Sequence, residues 1–304
     1  MKTTASTSAP HPLPISGSLD DIDIDNYVHG YSTHESRRLA DQADALSDRL
    51  HHDTTYPAGA KVLEVGCGVG AQTVHLVVAS PEARFTAVDV SAASLALARA
   101  RVTAQVPEAQ VTWLQTDLFE PPFPDAEFDH VFVCFVLEHL ASPHRALAAL
   151  RRVLRPGGTL TVIEGDHGSA FFHPDSPYAR AAVDCLVQLQ STGGGNALVG
   201  RQLHPLLTAS GYDHITVHPR TVYTDRSRPA LVKAFTLDTF TAMIESVRED
   251  ALAADLTTPV GLGPRRRRPA PHRYGRHRHV PLHVLQGGGP TTGRRVQPDR
   301  PGHL

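Results

Sequence analysis

The chain has 304 residues, 41% hydrophobic and 20% charged, which is enough to bury one large core or two small ones. It has no apolar run near the roughly 20 residues of a membrane span, and its three cysteines are too few for a disulfide framework. The net charge of -2 combines a basic segment, 261–304, with an acidic remainder. The few cysteines and the lack of a long apolar run favour a cytoplasmic protein without membrane contact, and the acidic body argues against nucleic-acid binding.

The N-terminal region divides into a tail and a helix. Residues 1–25 have no apolar signal-peptide core and are expected to form a disordered tail. The aromatic stretch NYVHGYS follows at 26–32, and residues 34–52 have helical spacing with Leu46 and Leu50 on one side. We therefore expect a helical N-terminal cover before the first strand.

Strands and helices alternate from residue 61 onward. Strands are predicted at 61–65, 84–90, 110–115, 128–135 and 159–165, and helices at 71–79, 92–103 and 143–154. This alternation is typical of an α/β fold with a doubly wound, mainly parallel Rossmann-like sheet. The pattern then changes to helices at 177–191, 199–210 and 229–254, with a strand at 214–220. We expect these later segments to be substrate-binding insertions.

A glycine-rich loop follows the first predicted strand. The order Glu64-x-Gly66-x-Gly68-x-Gly70 leads from a buried strand into a helix, where free backbone N–H groups can meet an anion. The spacing differs from the dinucleotide pattern G-x-G-x-x-G, and no lysine follows as in a phosphate loop. Two alternatives remain at this point: glycines that only make a tight turn, and a nicotinamide-dependent oxidoreductase.

Two acids follow the next two strands. Asp89 ends the second strand, 21 residues after Gly68, where a carboxylate can accept hydrogen bonds from ribose hydroxyls. Asp117 follows the third strand and can accept from an adenine amino group. A ligand with an adenosine part and a charged end, without a phosphate clamp, fits S-adenosyl-L-methionine. Its carboxylate can meet the loop amides and its ammonium can meet acceptors around the loop.

The segment 61–165 resembles class I S-adenosylmethionine-dependent methyltransferases. The motifs LEVGCGVG, AVDVS, LQTDLFEPPFPDAEFDHVFVCFVLEHL and LRPGGTLTVIEG occur in the family's order and spacing. The resemblance implies that the cofactor is S-adenosylmethionine. It also implies that Gly66, Cys67 and Gly68 line the methionine end, that Asp89 holds the ribose and that Asp117 and Leu118 lie at the adenine edge. The backbone near Cys134 and Phe135 is expected to face the sulfonium, and Glu64 and Val90 complete the expected cofactor-binding set.

The stretches EGDHGS (164–169) and GRQLHPLL (200–207) resemble a bacterial small-molecule methyltransferase subgroup of specialised metabolism, which is similar to indole C3-methyltransferases. The resemblance covers about residues 27–260, which we take as one methyltransferase domain. It implies a small aromatic or heteroaromatic acceptor, an indole carbon being one candidate, and it allows a homo-oligomer. O- or N-methylation of another metabolite is the alternative.

Four residues are candidates for the chemistry. His139 lies in LEHL after the fourth strand, and Glu164 and His167 lie in EGDHGS after the fifth, where an acid and an imidazole can bind an acceptor or relay its proton. Glu164 would also stabilise positive charge on a methylated ring. Tyr31, in the segment before the first helix, is expected to cover the cofactor, with Tyr27 as a second choice. Each residue also has a purely structural interpretation, and no metal site is expected.

The basic segment 261–304 does not fit this domain. It holds eight Gly and seven Pro and offers no convincing final antiparallel strand. A one-base shift in the codons of VPLHVLQ (280–286) permits an aromatic strand, so we hypothesise that the chain beyond about residue 260 is read in a shifted frame. The rival hypothesis is a genuine basic tail that binds nucleic acid or a membrane, and a tail of the first kind would suit a cofactor-binding regulatory or nucleic-acid-associated protein.

Overall fold

The computed structural model describes residue 43, residues 45–257 and the strand at 282–290. Its centre is a seven-stranded sheet in the order β3-β2-β1-β4-β5-β7-β6. The strands are β1 Lys61–Val65, β2 Arg84–Asp89, β3 Val111–Gln115, β4 Phe128–Cys134, β5 Leu154–Asp166, β6 Thr216–Val222 and β7 Leu282–Pro290. Strands β1 to β5 are parallel, and β7 runs antiparallel to both of its neighbours. The predicted α/β Rossmann-like class is confirmed.

Helices cover both faces of the sheet. The α-helices are α1 Ala71–Ala79, α2 Ala92–Gln105, α3 Pro143–Val153, α4 Pro177–Thr192, α5 Leu203–Ala209, α6 Pro229–Leu231, α7 Ala242–Ser246 and α8 Arg248–Ala253. A π-helix, Val232–Thr241, joins α6 to α7, and short 3-10 turns occupy Leu137–His139, His167–Ser169 and Val199–Gln202. The helix predicted over 199–210 therefore begins as a 3-10 turn, and the mostly helical character predicted for 229–254 is confirmed.

The central strands are apolar on both faces because each face packs against helices. On β1, Val62 belongs to a cluster with helices α1 and α4, whereas its neighbour Leu63 belongs to a cluster with helices α3 and α5. On β4, Phe132 and Val133 divide in the same way. Successive side chains of a strand point to opposite faces, so a strand buried on both sides reads as a continuous apolar run.

The N-terminal cover is fastened to the far edge of the sheet. Residues 45–50 are helical, and Leu46 and Leu50 are buried as their spacing predicted. Arg220 of β6 donates from Nη1 to the carbonyl oxygens of Arg49 and Leu50, at 2.8 and 2.7 Å, and its Nη2 pairs with Asp53. The last carbonyls of a helix lack intrahelical partners, so this buried guanidinium satisfies the end of the cover helix.

Strand β7 corrects one expectation. The backbone of residues 282–290 pairs with β5, from Asp166 opposite His283 to Thr159 opposite Pro290, and its other edge pairs with β6. The expectation that 261–304 supplies no final strand was therefore wrong. Glycine and proline disfavour a strand, but β5 and β6 present unpaired backbone groups on both sides of the gap, and pairing satisfies them.

Several predicted features lie outside the described residues. They are the tail 1–25, Tyr27, Tyr31 and the remainder of 261–304. Along the part of the chain that is described, none of the helices combines the length and apolar character needed to cross a membrane.

Candidate active site

The site residues predicted within the described region gather at one edge of the sheet. The glycine loop follows β1, Asp89 ends β2, and Asp117 lies two residues after β3. Cys134 ends β4, and His167 follows β5. Because these five strands are parallel, their carboxyl ends meet at the same edge, which is where open α/β sheets bind ligands.

The backbone amides of the glycine loop donate hydrogen bonds within the protein, and these bonds hold the loop in place. Gly66 N and Cys67 N both donate to the carbonyl oxygen of Val88, at 2.9 and 3.0 Å. Gly68 N donates to Asp89 Oδ2 at 2.8 Å. The interpretation that these amides meet the carboxylate of a cofactor therefore needs revision, because their hydrogen atoms already point to acceptors on β2 and at its end.

The three glycines have different roles. All have positive φ angles, which favour glycine. A Cβ on Gly66 would lie 2.5 Å from Val136 Cγ2, and one on Gly70 would lie 2.8 Å from Ala98 Cα on helix α2. A Cβ on Gly68 would meet nothing within 4 Å. Gly66 and Gly70 thus allow close packing, whereas Gly68 borders open space of the kind a ligand fills.

Two acids flank this open space. Asp89 Oδ1 accepts from Ser91 N at 2.9 Å, so both carboxylate oxygens are oriented by amides while each keeps capacity for a further donor. Burial raises the pKa of Asp89. Glu64 is 2% exposed, and its Oε2 has no hydrogen-bond partner among the described residues. Burial, followed by the charge of Asp89, raises the pKa of Glu64 to about 8. A cation bound beside Glu64 would favour the charged form of this acid.

The predicted adenine side forms at the ends of β2 and β3. Thr116 N donates to the Asp89 carbonyl at 3.1 Å, which joins the two strand ends. Asp117 Oδ1 accepts from Phe119 N at 2.8 Å and so shapes its own loop, and Leu118 is 9% exposed. Val90 contributes its carbonyl oxygen to Gln115 Nε2 at 2.9 Å. These contacts place the ribose and adenine candidates side by side.

The turn after β4 is strained and supported. Phe135 has a φ of 56°, a left-handed conformation that costs a non-glycine residue roughly 1–2 kcal/mol. Its N–H donates to the carbonyl of Ile163 at 2.9 Å. Cys134 is buried, and burial raises the pKa of its thiol, so Cys134 stays protonated near neutral pH. Outliers of this kind persist where surrounding contacts hold them, often beside functional sites.

Glu164 supports the same turn. Its Oε1 accepts from Val136 N at 3.0 Å and from Leu137 N at 2.7 Å. The residue is 0% exposed, and its pKa is raised by burial and then by the charge of Glu138. The sequence predicted that Glu164 contacts the acceptor, and this stays a prediction. In the structure Oε1 holds the turn that carries Glu138 and His139, whereas Oε2 is buried without a hydrogen-bond partner among the described residues.

Glu138 joins the two histidines. Its Oε2 lies 3.2 Å from His167 Nε2, and its Oε1 lies 3.6 Å from His139 Nε2. The carbonyl of Glu138 accepts from Asn196 N and Gln190 Nε2 at 2.7 and 2.9 Å. From the sequence, His139 and His167 were separate candidates, and Glu138 was not among them. Its position between them follows from the parallel pairing of β4 with β5, which aligns the two strand ends.

The two histidines differ in accessibility. The side chain of His139 is 19% exposed, whereas that of His167 is 9% exposed. His167 Nδ1 is buried and has no hydrogen-bond partner among the described residues. His139 is therefore the imidazole that a molecule in solution reaches more easily, and His167 lies behind Glu138.

Asp166 forms a second charged group beside this cluster. It accepts three hydrogen bonds of 2.7 to 3.0 Å from Arg201 Nε and Nη2. Ser169 Oγ donates to Asp166 Oδ2 at 2.5 Å. Over residues 43 and 45–257, no group of three or more His, Cys, Asp and Glu side chains is arranged to hold a metal ion.

Comparison with known proteins agrees with this geometry. Residues 63–162 match the family model described as a methyltransferase domain. An O-methyltransferase of Penicillium expansum is 33% identical over 183 residues, covering 55% of this chain and 63% of its own length. A demethylmenaquinone methyltransferase of Tropheryma whipplei is 32% identical over 169 residues, covering 50% of this chain and 68% of its own. The chain belongs to the methyltransferase family.

A solved structure of this methyltransferase fold gives the same architecture. Phosphoethanolamine N-methyltransferase 2 of Haemonchus contortus, in complex with S-adenosyl-L-methionine, superposes with a TM-score of 0.51 at 17% identity, covering 83% of this chain and 52% of that one. The chain spans between 53% and 68% of the length of the first curated relatives it matches. At the corresponding sheet edge of this chain, Glu64 offers an unpaired acid oxygen, Gly68 borders open space and Asp89 supplies oriented acceptors.

Proposed function

We propose that this methyltransferase transfers the methyl group of S-adenosylmethionine to a small molecule, with His139 as the proton acceptor and Glu138 as its orienting carboxylate. The observation that carries the proposal is the position of Glu138 between two imidazoles, at the sheet edge shared with the glycine loop. An acid, an imidazole and a cofactor loop at one edge are the parts that proton-coupled methyl transfer needs.

Different residues contact different parts of the cofactor. Asp89 accepts the ribose hydroxyls, Asp117 and Leu118 border the adenine, and Glu64 favours the cofactor's ammonium through its charge. The bound cofactor supplies an activated methyl group on sulfur. The chain's own task is then to align an acceptor atom with that group and to exclude water.

Glu138 prepares His139 for proton transfer. A carboxylate beside Nε2 favours the tautomer that carries its proton there, which leaves Nδ1 as the basic atom. The 3.6 Å separation is long for a hydrogen bond, and such contacts commonly shorten when substrate binds. His167, on the other oxygen of Glu138, keeps the carboxylate in place, and Glu164 holds the turn. In this proposal His167 and Glu164 are positioning residues.

Aromatic side chains in the segment that follows the His167–Ser169 turn support a ring-shaped acceptor. Phe171, two residues after the His167–Ser169 turn, is 55% exposed, and so is Tyr178. Phe172 packs against Phe240 with ring centroids 6.3 Å apart. The names of the two curated relatives specify O-methylation in one case and demethylmenaquinone in the other, which supports a small-molecule acceptor and leaves the attacked atom open. An indole stays one candidate.

The test is transfer of label from S-adenosylmethionine carrying a labelled methyl group to a panel of phenols, indoles and quinols. We expect labelled product, a His139→Ala turnover number lower by about 10²–10⁴-fold, and unchanged binding of S-adenosylhomocysteine. His167→Ala should lower turnover less, because His167 acts only by holding Glu138 in place.

Two results would change the assignment. If His139→Ala turns over normally while His167→Ala is inactive, the base is His167. A folded wild-type chain that binds S-adenosylhomocysteine but labels no member of the panel would instead favour a cofactor-binding protein without small-molecule activity.

A further inference from the structure

A strap of residues, 195–201, crosses the turns after β4 and β5. At its start Asn196 N donates to the carbonyl of Glu138, and His167 N donates to the carbonyl of Ala197. At its end Arg201 reaches Asp166. The strap therefore brings the guanidinium of Arg201 to the same sheet edge as the Glu138 cluster.

Two glycines let the strap lie this close. A Cβ on Gly200 would lie 2.6 Å from the carbonyl oxygen of Gly165, so the strap packs directly on the end of β5. A Cβ on Gly168 would lie 2.8 Å from Arg201 Nη2. The backbone of the turn after β5 thus leaves room for the guanidinium, and any larger residue at Gly168 would displace it.

Arg201 and Asp166 form an ion pair with one buried side. The side chain of Asp166 is 4% exposed, whereas that of Arg201 is 47% exposed. An ion pair oriented in this way is a fixed dipole with its positive end toward solvent. The buried carboxylate thus holds the guanidinium in place while its outer end stays accessible to a solute.

The hydrogen-bonding capacity of Arg201 is only partly used by Asp166. A guanidinium has five N–H donors in a rigid plane. Asp166 occupies Nε and one side of Nη2. The end formed by Nη1 and the outer N–H of Nη2 has the fork geometry that matches a planar carboxylate. Because Asp166 holds the plane, little side-chain entropy remains to be lost on binding.

We propose that Arg201 binds a carboxylate on the acceptor and that the enzyme therefore selects anionic aromatic acids over their neutral analogues. The proposal rests on the function proposed above, since it concerns the acceptor of the same site. The acceptor's ring then lies between Arg201 and His139, with its carboxylate at the strap and its reactive atom toward the Glu138 cluster.

The experiment measures the binding of matched probe pairs to the protein loaded with S-adenosylhomocysteine. The probes are indole-3-acetate with indole-3-acetamide and phenylacetate with phenylacetamide, titrated calorimetrically. We expect each carboxylate to bind about tenfold more tightly than its amide, because a charge-assisted fork replaces neutral hydrogen bonds. In Arg201→Gln the preference should fall to within about twofold, and Arg201→Lys should keep part of it because a charge without the fork remains.

Arg152→Gln is the matched control. Arg152 is 40% exposed and pairs with Asp125 at 2.7 Å, but it lies on α3 with Phe123 and Pro121 as its other partners. It should keep the tenfold preference.

Equal affinity for acid and amide in the wild type, or a preference that survives Arg201→Gln, overturns the proposal. If S-adenosylhomocysteine binds normally and no carboxylate does, the anion proposal fails while the cofactor assignment stands. If S-adenosylhomocysteine itself does not bind, the proposed function fails first.

Discussion

The proposed cofactor half of the site, at the ends of β1 and β2, and the proposed acceptor half, at the ends of β4 and β5, are held together by different means. In the cofactor half, backbone amides of one loop bind Val88 and Asp89. In the acceptor half, the carboxylates of Glu138 and Glu164 bind imidazole and backbone groups from other segments. A contiguous motif can specify the first arrangement, whereas the second depends on side chains that meet only in the fold.

The largest effect that we expect is a pH dependence of the free energy of unfolding, caused by Glu64 in the cofactor half. Its pKa, raised by burial from 4.5 to about 8, makes the protonated form the stable one in the folded protein without cofactor. This stabilisation is fully present below pH 4.5 and is lost as the pH rises through 8. At about 1.36 kcal/mol per pKa unit, the loss is on the order of 4–5 kcal/mol.

Urea unfolding of the wild type and Glu64→Gln, without cofactor, at half-unit steps from pH 4.5 to 8.5 measures this loss. The free energy of unfolding of the wild type should fall relative to the variant as the pH rises. His51, whose pKa burial lowers to about 4, acts in the opposite direction below pH 6.5, but it is present in both proteins and cancels in the difference. If the difference in free energy of unfolding between the wild type and Glu64→Gln does not vary with pH, Glu64 is ionised in the folded protein at low cost and the prediction is wrong.

The next effect concerns Glu164 and the acceptor half. Glu164→Ala removes the acceptor of two buried amides, those of Val136 and Leu137, and should lower the free energy of unfolding by about 3 kcal/mol. Glu164→Gln keeps an acceptor oxygen and should lose less than about 1 kcal/mol and retain most of the turnover number. Chemical unfolding together with steady-state kinetics separates the two. A stable but inactive Glu164→Gln would return Glu164 to the catalytic role that the sequence analysis predicted.

A smaller effect distinguishes packing from ligand contact within the glycine loop. Gly70→Ala places a Cβ 2.8 Å from Ala98 Cα and should lower the free energy of unfolding by about 1–3 kcal/mol. Gly68→Ala meets no neighbour, so its stability cost is roughly 1 kcal/mol for the left-handed backbone, and its main effect should be weaker cofactor binding. Thermal unfolding and S-adenosylhomocysteine titration of both variants measure stability and affinity separately. If both variants lost stability and affinity to the same extent, the distinction between packing and ligand contact would be wrong.

The same division explains what the sequence could predict. Gly68 and Asp89 could be proposed from the sequence because a strand, a glycine turn and an acid at the next strand end form one local pattern, and the structure brings the two residues into contact. Glu138 was missed because its partner His167 lies 29 residues away and its importance arises from that contact. Arg201 entered the site through the strap, and nothing local in its sequence indicates a partner at Asp166.

Strand β7 was mispredicted for a related reason. Local propensity argues against a strand with three glycines and Pro290, whereas the unpaired edges of β5 and β6 require one. The hypothesis of a shifted reading frame beyond about residue 260 stays a prediction. Resequencing the gene tests it: an intact frame through the four consecutive arginines at 265–268 would contradict the shift.

Calorimetric titration of S-adenosylhomocysteine into the wild type and Asp89→Ala tests the central claim most directly, which is that the edge at β1 and β2 holds the cofactor. We expect one site per chain in the wild type. Loss of the ribose acceptor should weaken binding by about ten- to a hundredfold, since an unpaired buried hydroxyl costs about 1–3 kcal/mol. Asp89→Asn, which keeps one acceptor oxygen, should fall between the two. No binding by the folded wild type, or an unchanged dissociation constant in folded Asp89→Ala, would contradict the account.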